Sequence, residues 1–294
     1  MAEGGSSARE AFRPPKDDPD DKTEMIHYDV KEKPIGAGAF GSVYEALHRG
    51  SNTRMAMKKV AVGKRYWDNS EESKAARKER ETILKLGKHV NIVRCFGTFR
   101  TNDNHLAIPM EYCDLDLETF MKEKSNRKNN VLINVAFQCA SGLASLHSQN
   151  PPIIHRDVKP ANILLKLKSR TTAKLSDFGL SSILEVWEGF VLFPTMKQVA
   201  QAIYSMKTTV GGHGTLPFLG PEFYAAKDGR GLVKGKFRIG PAVDIFALGV
   251  VFLCMICYNT SDYGKSCFSW KNLTRTLTRR PFAVLMLLAC WHRY

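Results

Sequence analysis

Four polar side chains near the middle of the chain have types and spacing that could do chemistry together. Asp157 and Lys159 are two residues apart, Asn162 comes three residues later, and Asp177 opens an Asp-Phe-Gly triplet further on. The amide and carboxylate oxygens of Asn162 and Asp177 are hard ligands of the kind that Mg²⁺ prefers. Positioning and charge neutralisation are most of what phosphoryl transfer requires. The set therefore points to chemistry on phosphate groups.

A glycine cluster closer to the amino terminus supplies a second phosphate signal. Gly36, Gly38 and Gly41 form the pattern GxGxxG, whose backbone can approach phosphate oxygens closely and bind them through its amides. The same pattern also marks dinucleotide-binding turns. However, the residues after Gly41 favour a returning strand over a helix, and Lys58 stands where a dinucleotide fold would have an acid. This favours a site for the phosphates of ATP.

The elements that must position these residues can be read from apolar periodicity. Apolar residues recur at helical spacing after residue 130, and the most apolar helix should be buried. Strands are predicted on both sides of the glycines and over 54–60, 93–100 and 105–112, and helices over 70–86, 131–147 and 243–258. A small strand-rich lobe followed by a larger, mainly helical lobe makes an α+β fold.

The run HRDVKPAN at 155–162, followed by Asp-Phe-Gly at 177–179, resembles the catalytic loop and metal-binding motif of eukaryotic protein kinases. The resemblance covers about residues 28–260 and implies a bilobal kinase-like fold that uses ATP and Mg²⁺. It implies that Asp157 orients the substrate hydroxyl and that Lys159 stabilises the transferring group. Asn162 and Asp177 would bind Mg²⁺.

The same resemblance assigns the residues around the nucleotide. Lys58 would contact the α- and β-phosphates and be held by an ion pair with a glutamate of the following helix. Both Glu79 and Glu81 are available, and the kinase pattern favours Glu79. The residues implied in nucleotide binding are Ile35, Gly36, Gly38, Gly41, Val43, Ala56, Lys58, Met110, Glu111, Cys113 and Leu164.

Two downstream segments extend the resemblance. Residues 214–222 are similar to the end of a kinase activation segment, and Thr215 together with Lys159 resembles the serine/threonine type rather than the tyrosine type. Asp244 matches the aspartate of a buried helix that braces the catalytic loop. The lead-in at 150–154 is similar to that of tyrosine-kinase-like serine/threonine kinases, and the subgroup stays open.

The activation segment departs from the family in length. Residues 187–209 form an insert in which apolar residues recur at helical spacing, so a short amphipathic helix is expected around 196–206. Arg156 precedes the catalytic aspartate, a feature of kinases whose activation segment is phosphorylated. We expect Thr208 or Thr209 to carry the phosphate, added by the chain itself or by an upstream kinase.

The carboxy-terminal lobe is shorter than the family pattern, since few residues follow Thr260. Glu222 has no recognisable arginine partner there, and an unpaired buried carboxylate is costly. The leading interpretation is an active serine/threonine protein kinase with a protein substrate. The alternative is a kinase-shaped regulatory or scaffolding protein with weak or no activity. A small-molecule kinase is disfavoured by the peptide-docking character of 214–222.

The composition bears on disulfides, nucleic-acid binding, membrane insertion and cellular location. Seven cysteines without framework spacing argue against a disulfide scaffold. The charge of +14 is scattered, without a nucleic-acid motif, so no dedicated nucleic-acid binding is expected. No apolar run is long enough for a membrane span, and a cytoplasmic or nuclear location is the expectation. Residues 1–24 should be a disordered tail, with the two lobes over 25–112 and 113–294.

Overall fold

The chain divides into two compact units, residues 1–85 with 94–112 and residues 86–93 with 113–294. The first is built on a β-sheet and the second around helices, so the predicted α+β class is confirmed. The predicted limits of the tail and of the two lobes stay predictions. The computed structural model describes residues 23–38, 41–62, 70–126, 128–183, 191–193, 232–233 and 236–257.

The first unit is built on an antiparallel sheet. Its elements are β1 (Tyr28–Gly38), β2 (Gly41–His48), β3 (Thr53–Ala61), α1 (Glu71–Lys85), β4 (Phe99–Arg100) and β5 (His105–Glu111). The strand order in the sheet is β1-β2-β3-β5-β4, a 3-10 helix over 23–27 precedes β1, and α1 contacts β3. The prediction of a helix over 70–86 agrees with α1 to within one residue at each end.

The prediction of a strand over 93–100 is wrong for most of that length. Only β4 pairs continuously with β5, while Cys95 forms an isolated bridge to Met110. Gly97 lies between them with a φ of 115°, a left-handed conformation that interrupts the ladder. Phe99 is fully buried beyond the interruption and stacks on Tyr28, with ring centroids 5.6 Å apart. The interruption at Gly97 is therefore followed by a short strand that places Phe99 in the core.

Within its described residues, the second unit contains three α-helices, one two-stranded sheet and two three-stranded sheets, all antiparallel. The elements are β6 (Leu115–Asp116), α2 (Leu117–Lys122), α3 (Asn129–His147), β7 (Ile153–Ile154), β8 (Ile163–Leu167), β9 (Thr171–Leu175), β10 (Ser182–Ile183), β11 (Val191–Phe193), β12 (Leu232–Val233), β13 (Lys236–Ile239) and α4 (Ala242–Cys257). The prediction of a helix over 243–258 agrees with α4 to within one residue at each end, and α3 begins two residues before its predicted start.

The core of the second unit forms where α3 presses on β9. Val135, Cys139 and Leu143 of α3 are buried, as the helical periodicity predicts. Gly142 allows the close approach, because a Cβ there would lie 2.8 Å from the Asn91 carbonyl oxygen. The helix therefore holds β9, and with it the end of β8, against the rest of the unit.

The described residues bear on two expectations from the sequence, which concern disulfides and membrane-spanning segments. Cys95, Cys113, Cys139 and Cys254 carry no disulfide in this part of the chain. Among the helices that the structure describes, none combines the length and the hydropathy of a membrane-spanning segment. The helix predicted around 196–206 lies outside the described residues.

Candidate active site

The β8–β9 hairpin brings Asn162 and Asp177 together. Asn162 immediately precedes β8, Asp177 lies two residues beyond the end of β9, and the register pairs Ile163 with Leu175. Ser176, the residue between Leu175 and Asp177, donates from its backbone N–H and from its hydroxyl to the Asn162 carbonyl oxygen, both at 2.9 Å. The two predicted metal ligands thus share one end of a hairpin, although they are fifteen positions apart in sequence.

Asp157 lies against the same hairpin end and is 2% exposed. Its Oδ2 accepts hydrogen bonds from Lys159 Nζ at 2.8 Å and from Asn162 Nδ2 at 2.7 Å. Its Oδ1 is buried and has no hydrogen-bond partner in the part of the chain that the structure describes. A buried carboxylate oxygen without a donor is unfavourable, so this atom is set to accept a proton donor from a ligand.

The Asp-Phe-Gly triplet is tied to the catalytic loop through His155. The His155 ring lies 5.1 Å from the Phe178 ring and its Nε2 is 3.0 Å from the Ser176 carbonyl oxygen. Asp177 itself has a φ of 63°, a left-handed conformation that aspartate tolerates better than most residues. Ser181 closes the contact by donating from Oγ to the His155 carbonyl at 3.2 Å.

Asp244 of α4 supports the backbone of the catalytic loop. Its carboxylate, which is fully buried, accepts hydrogen bonds from the backbone N–H of His155 at 2.8 Å and of Arg156 at 2.7 Å. The same carboxylate lies 2.8 Å from His147 Nε2 at the end of α3. Arg156 has a φ of 67°, so this pair of bonds stabilises a backbone conformation that is otherwise costly.

Arg156 has its side chain buried beneath the loop, 8% exposed. Burial lowers the pKa of its guanidinium to about 10, while the nearby Asp244 carboxylate acts in the opposite direction. The group still carries its charge at neutral pH.

In the first unit, Lys58 lies on β3 and Glu79 on α1. Lys58 Nζ donates to Glu79 Oε1 at 2.6 Å, and the two side chains are 7% and 4% exposed. The choice of Glu79 over Glu81 agrees with this geometry, since Glu81 is exposed and pairs with Lys85 along the helix. This ion pair fixes the position of α1 relative to β3 and the orientation of the Lys58 side chain.

The glycines lie where β1 turns into β2. Gly38 pairs with Gly41 across the turn, and Gly36 pairs with Val43. Gly41 has a φ of 119°, and a Cβ there would overlap the Lys59 carbonyl oxygen. Glycine is therefore required at 41, whereas a Cβ at Gly36 would meet no atom within 4 Å, so that position leaves room above the strand.

The other residues predicted at the nucleotide divide between the units. In the first, the register sets Val43 opposite Lys58 and Ala56 opposite Met110, so they lie in two neighbouring rows on the same face of the sheet. The remaining positions there are Ile35, which is 52% exposed on β1, and Glu111, whose Oε1 accepts from the Arg94 backbone N–H at 2.8 Å. Cys113 and Leu164 belong to the second unit, both half-buried. Thr215 lies outside the described residues.

The donor set at the hairpin end fits a magnesium ion. Asn162 Nδ2 is used by Asp157, which leaves Oδ1 as the coordinating atom of the amide, and Asp177 adds a half-buried carboxylate. Mg²⁺ is commonly held by one or two such oxygens, with water and substrate phosphates completing the shell. Within the described ranges no group of three or more His, Cys, Asp or Glu side chains could hold a metal ion.

Two contributors to the site were not predicted. His147 and Ser181 have no neighbouring motif that marks them, and each acts on the loop through one long-range contact. A lone histidine at a helix end and a serine after Asp-Phe-Gly-Leu carry no distinctive spacing. Only the folded chain brings them to the loop.

Replacing Lys58 with Met should destabilise the fold by about 3–5 kcal/mol, because the Glu79 carboxylate stays buried without the Lys58 cation. The double variant Lys58→Met/Glu79→Gln should recover much of the stability, since it leaves no buried charge unpaired. Urea unfolding of both variants measures the difference; equal loss of stability in the single and the double variant would contradict this account of the pair.

Comparison with known proteins places the chain in a family. The model of the protein kinase domain matches residues 28–276. This match spans most of the chain and includes every residue of the loop, the hairpin end and the Lys58 pair. The chain belongs to the protein kinase family.

Individual relatives carry serine/threonine kinase names. The chain is 29% identical over 224 residues to the serine/threonine protein kinase OSK3 of Oryza sativa subsp. indica, covering 76% of this chain and 37% of the relative. It is 30% identical over 223 residues to the serine/threonine-protein kinase VIK of Arabidopsis thaliana, covering 76% and 44%. A shorter match, 38% over 156 residues, is to the serine/threonine-protein kinase pakG of Dictyostelium discoideum, covering 51% and 12%. The chain thus spans less than half the length of each of these relatives.

Proposed function

We propose that this chain is an ATP-dependent protein kinase that transfers the γ-phosphoryl group of ATP to serine or threonine hydroxyls of protein substrates. The observation that carries the proposal is the Asp157 carboxylate, with Oδ2 held by Lys159 and Asn162 and a buried Oδ1 that has no partner in the described ranges. Such an arrangement suits a base that orients an incoming hydroxyl. The kinase names of the relatives support the reaction class.

In this proposal the residues of the second unit act on the reacting atoms. Asp157 Oδ1 accepts the hydrogen bond of the substrate hydroxyl and aligns its oxygen. Lys159, 2.8 Å from the same carboxylate, neutralises charge that develops on the transferring group. Asn162 Oδ1 and the Asp177 carboxylate hold Mg²⁺, which when bound neutralises phosphate charge and orients the leaving group.

The residues of the first unit bind the nucleotide. Lys58, aimed by Glu79, contacts the α- and β-phosphates, and the backbone amides between Gly36 and Gly41 bind phosphate oxygens. Val43 and Ala56 contact the adenine ring, and the main chain of Glu111 binds its edge. Ile35 and Met110 complete the apolar surroundings of the base.

The preference for serine and threonine rests on Lys159 and Thr215. Lys159 contacts the catalytic carboxylate and is 8% exposed, so it occupies space that a phenol ring would need. Thr215 would act with it. The three relatives cited above are named as serine/threonine kinases, which supports the same preference.

The test is transfer of labelled phosphate from ATP and Mg²⁺ to a generic basic protein by folded, monodisperse material, followed by phosphoamino-acid analysis. We expect phosphoserine and phosphothreonine, and transfer reduced by about 10²–10⁴-fold in the Asp157→Asn variant. Phosphotyrosine alone would overturn the proposed specificity. Absence of transfer by protein that still binds ATP would favour the regulatory or scaffolding alternative.

Activation by phosphorylation is a separate prediction of the proposed function. Thr208 and Thr209 lie outside the described residues, and Arg156 is the cation in the catalytic loop that a phosphate on either would approach. Replacing both threonines with Ala should lower activity and phosphate incorporation together. Thr53→Ala, on an exposed strand end of the first unit, is the control and should change neither. Unchanged incorporation in the double alanine variant would show that the phosphate, if any, lies elsewhere.

A further inference from the structure

One face of α3 is apolar and exposed. Ile133 and Phe137 are 50% and 63% exposed and, being four positions apart, lie on the same side of the helix. Ala144 is exposed on the same side of the helix, whereas Ala140 is half-buried and packs against the core of the second unit. We call Ile133, Phe137 and Ala144 the α3 strip.

The α3 strip lacks the charges expected of a solvated helix face. The whole of α3 contains no Asp, Glu, Lys or Arg in its 19 residues, whereas a quarter of the chain is charged. A helix face exposed to water is normally rich in charged or polar residues. The composition of α3 therefore indicates that an uncharged surface covers the strip.

The neighbours of α3 leave the strip open between them. On one side Gln138 Nε2 donates to the Thr171 carbonyl of β9 at 3.1 Å. On the other side His147 meets Asp244 of α4 at 2.8 Å. Because α4 ends at Cys257, the chain that follows leaves from an element already packed on α3.

We propose that the run PFAVLMLLACW, residues 281–291, docks on the α3 strip of its own chain. The run contains no charged residue and is bounded by Arg279, Arg280 and Arg293, so it matches the strip in its lack of charge. An apolar run of this kind is unfavourable in water. Among the described residues, the strip lies on α3, the helix against which α4, the last described element before the run, packs.

Chain length permits the contact and favours it over a second copy. The 16 residues of α4 rise by about 24 Å, while residues 258–280 reach at most roughly 80 Å when extended. The run can therefore reach any part of the strip. A tether of this length also keeps the run at a high effective concentration near its own α3, which a second molecule cannot match at ordinary protein concentrations.

Cross-linking in the full-length protein tests the contact directly, since Cys290 lies within the run. With Phe137→Cys, a short bis-maleimide should join positions 137 and 290 within one chain, identified by peptide mass spectrometry in the monomer band. Leu84→Cys, at another exposed apolar helix position but in the first unit, is the matched control and should give a several-fold lower yield. A 137–290 link only between chains would assign the strip to a second copy, and no link at all would also overturn the proposal.

A thermal double-mutant cycle supplies an independent readout. Phe137→Ser and Leu287→Ser should each lower the Tm by about 2–4 °C, the shift expected for loss of a modest contact in a chain of this size. The double variant should lie no lower than the single variants, because the two changes remove the same contact. Unchanged Tm in Phe137→Ser, or fully additive shifts, would show that the two residues do not meet.

Discussion

Replacing Asp157 with Asn should reduce phosphotransfer by about 10²–10⁴-fold, the range expected when a positioned acid–base group is removed. The amide keeps the size of the side chain and can still accept from Asn162, so the loop should retain its shape. What is lost is the negative charge at Oδ1, the buried oxygen without a partner in the described part of the chain. A substrate hydroxyl would then be oriented less well and its proton would have no acceptor.

The measurement is initial rate against ATP and against a peptide substrate, with nucleotide binding measured separately. Binding of ATP should change little, because Asp157 is not placed at the nucleotide. Asp114→Asn is the control, since Asp114 is an exposed aspartate of the same unit that accepts from the Leu167 backbone at 2.6 Å. Full activity in Asp157→Asn would rule out the proposed mechanism, whereas a matching loss in Asp114→Asn would point to a general effect on the fold.

The catalytic-loop part of the site could be predicted from the sequence because its functional residues lie close together in the chain. Asp157, Lys159 and Asn162 lie within six positions of one another, and the turn that brings them together is formed by the residues between them. The ion pair between Lys58 and Glu79 was predicted from the resemblance to protein kinases, whose pattern places a glutamate of the helix after β3 against this lysine and favours Glu79 over Glu81. The strand-rich and helical units followed from periodicity.

What periodicity could not predict depends on contacts between distant positions. The strand predicted over 93–100 ignored Gly97, whose left-handed backbone interrupts the ladder. Residues 86–93 group with the second unit because Asn91 and Val93 exchange backbone hydrogen bonds with Leu175 of β9 at 2.9 and 2.8 Å. Nothing in the apolar pattern of this short segment indicates β9 as its partner, since the pairing spans more than eighty positions.

Asp244 supports the catalytic loop although the two are far apart in sequence. Replacing it with Ala should destabilise the protein by about 3–5 kcal/mol, because the backbone N–H groups of His155 and Arg156 would stay buried without their acceptor. In a chain of this size that corresponds to a Tm lower by roughly 10 °C. Activity should fall with it, since the left-handed backbone at Arg156 would lose the bonds that hold it next to Asp157.

Two further variants distinguish support of the loop backbone by Asp244 from the general effect of removing a charged residue. Asp29→Ala is the control, because its ion pair with Arg49 is exposed and such pairs contribute less than about 1 kcal/mol. His147→Phe removes only the side-chain contact to Asp244 and leaves both backbone bonds in place, so it should cost less stability than Asp244→Ala and retain more activity. If His147→Phe and Asp244→Ala lost activity equally, the contact between the helices, and not the grip on the loop backbone, would be what the reaction requires.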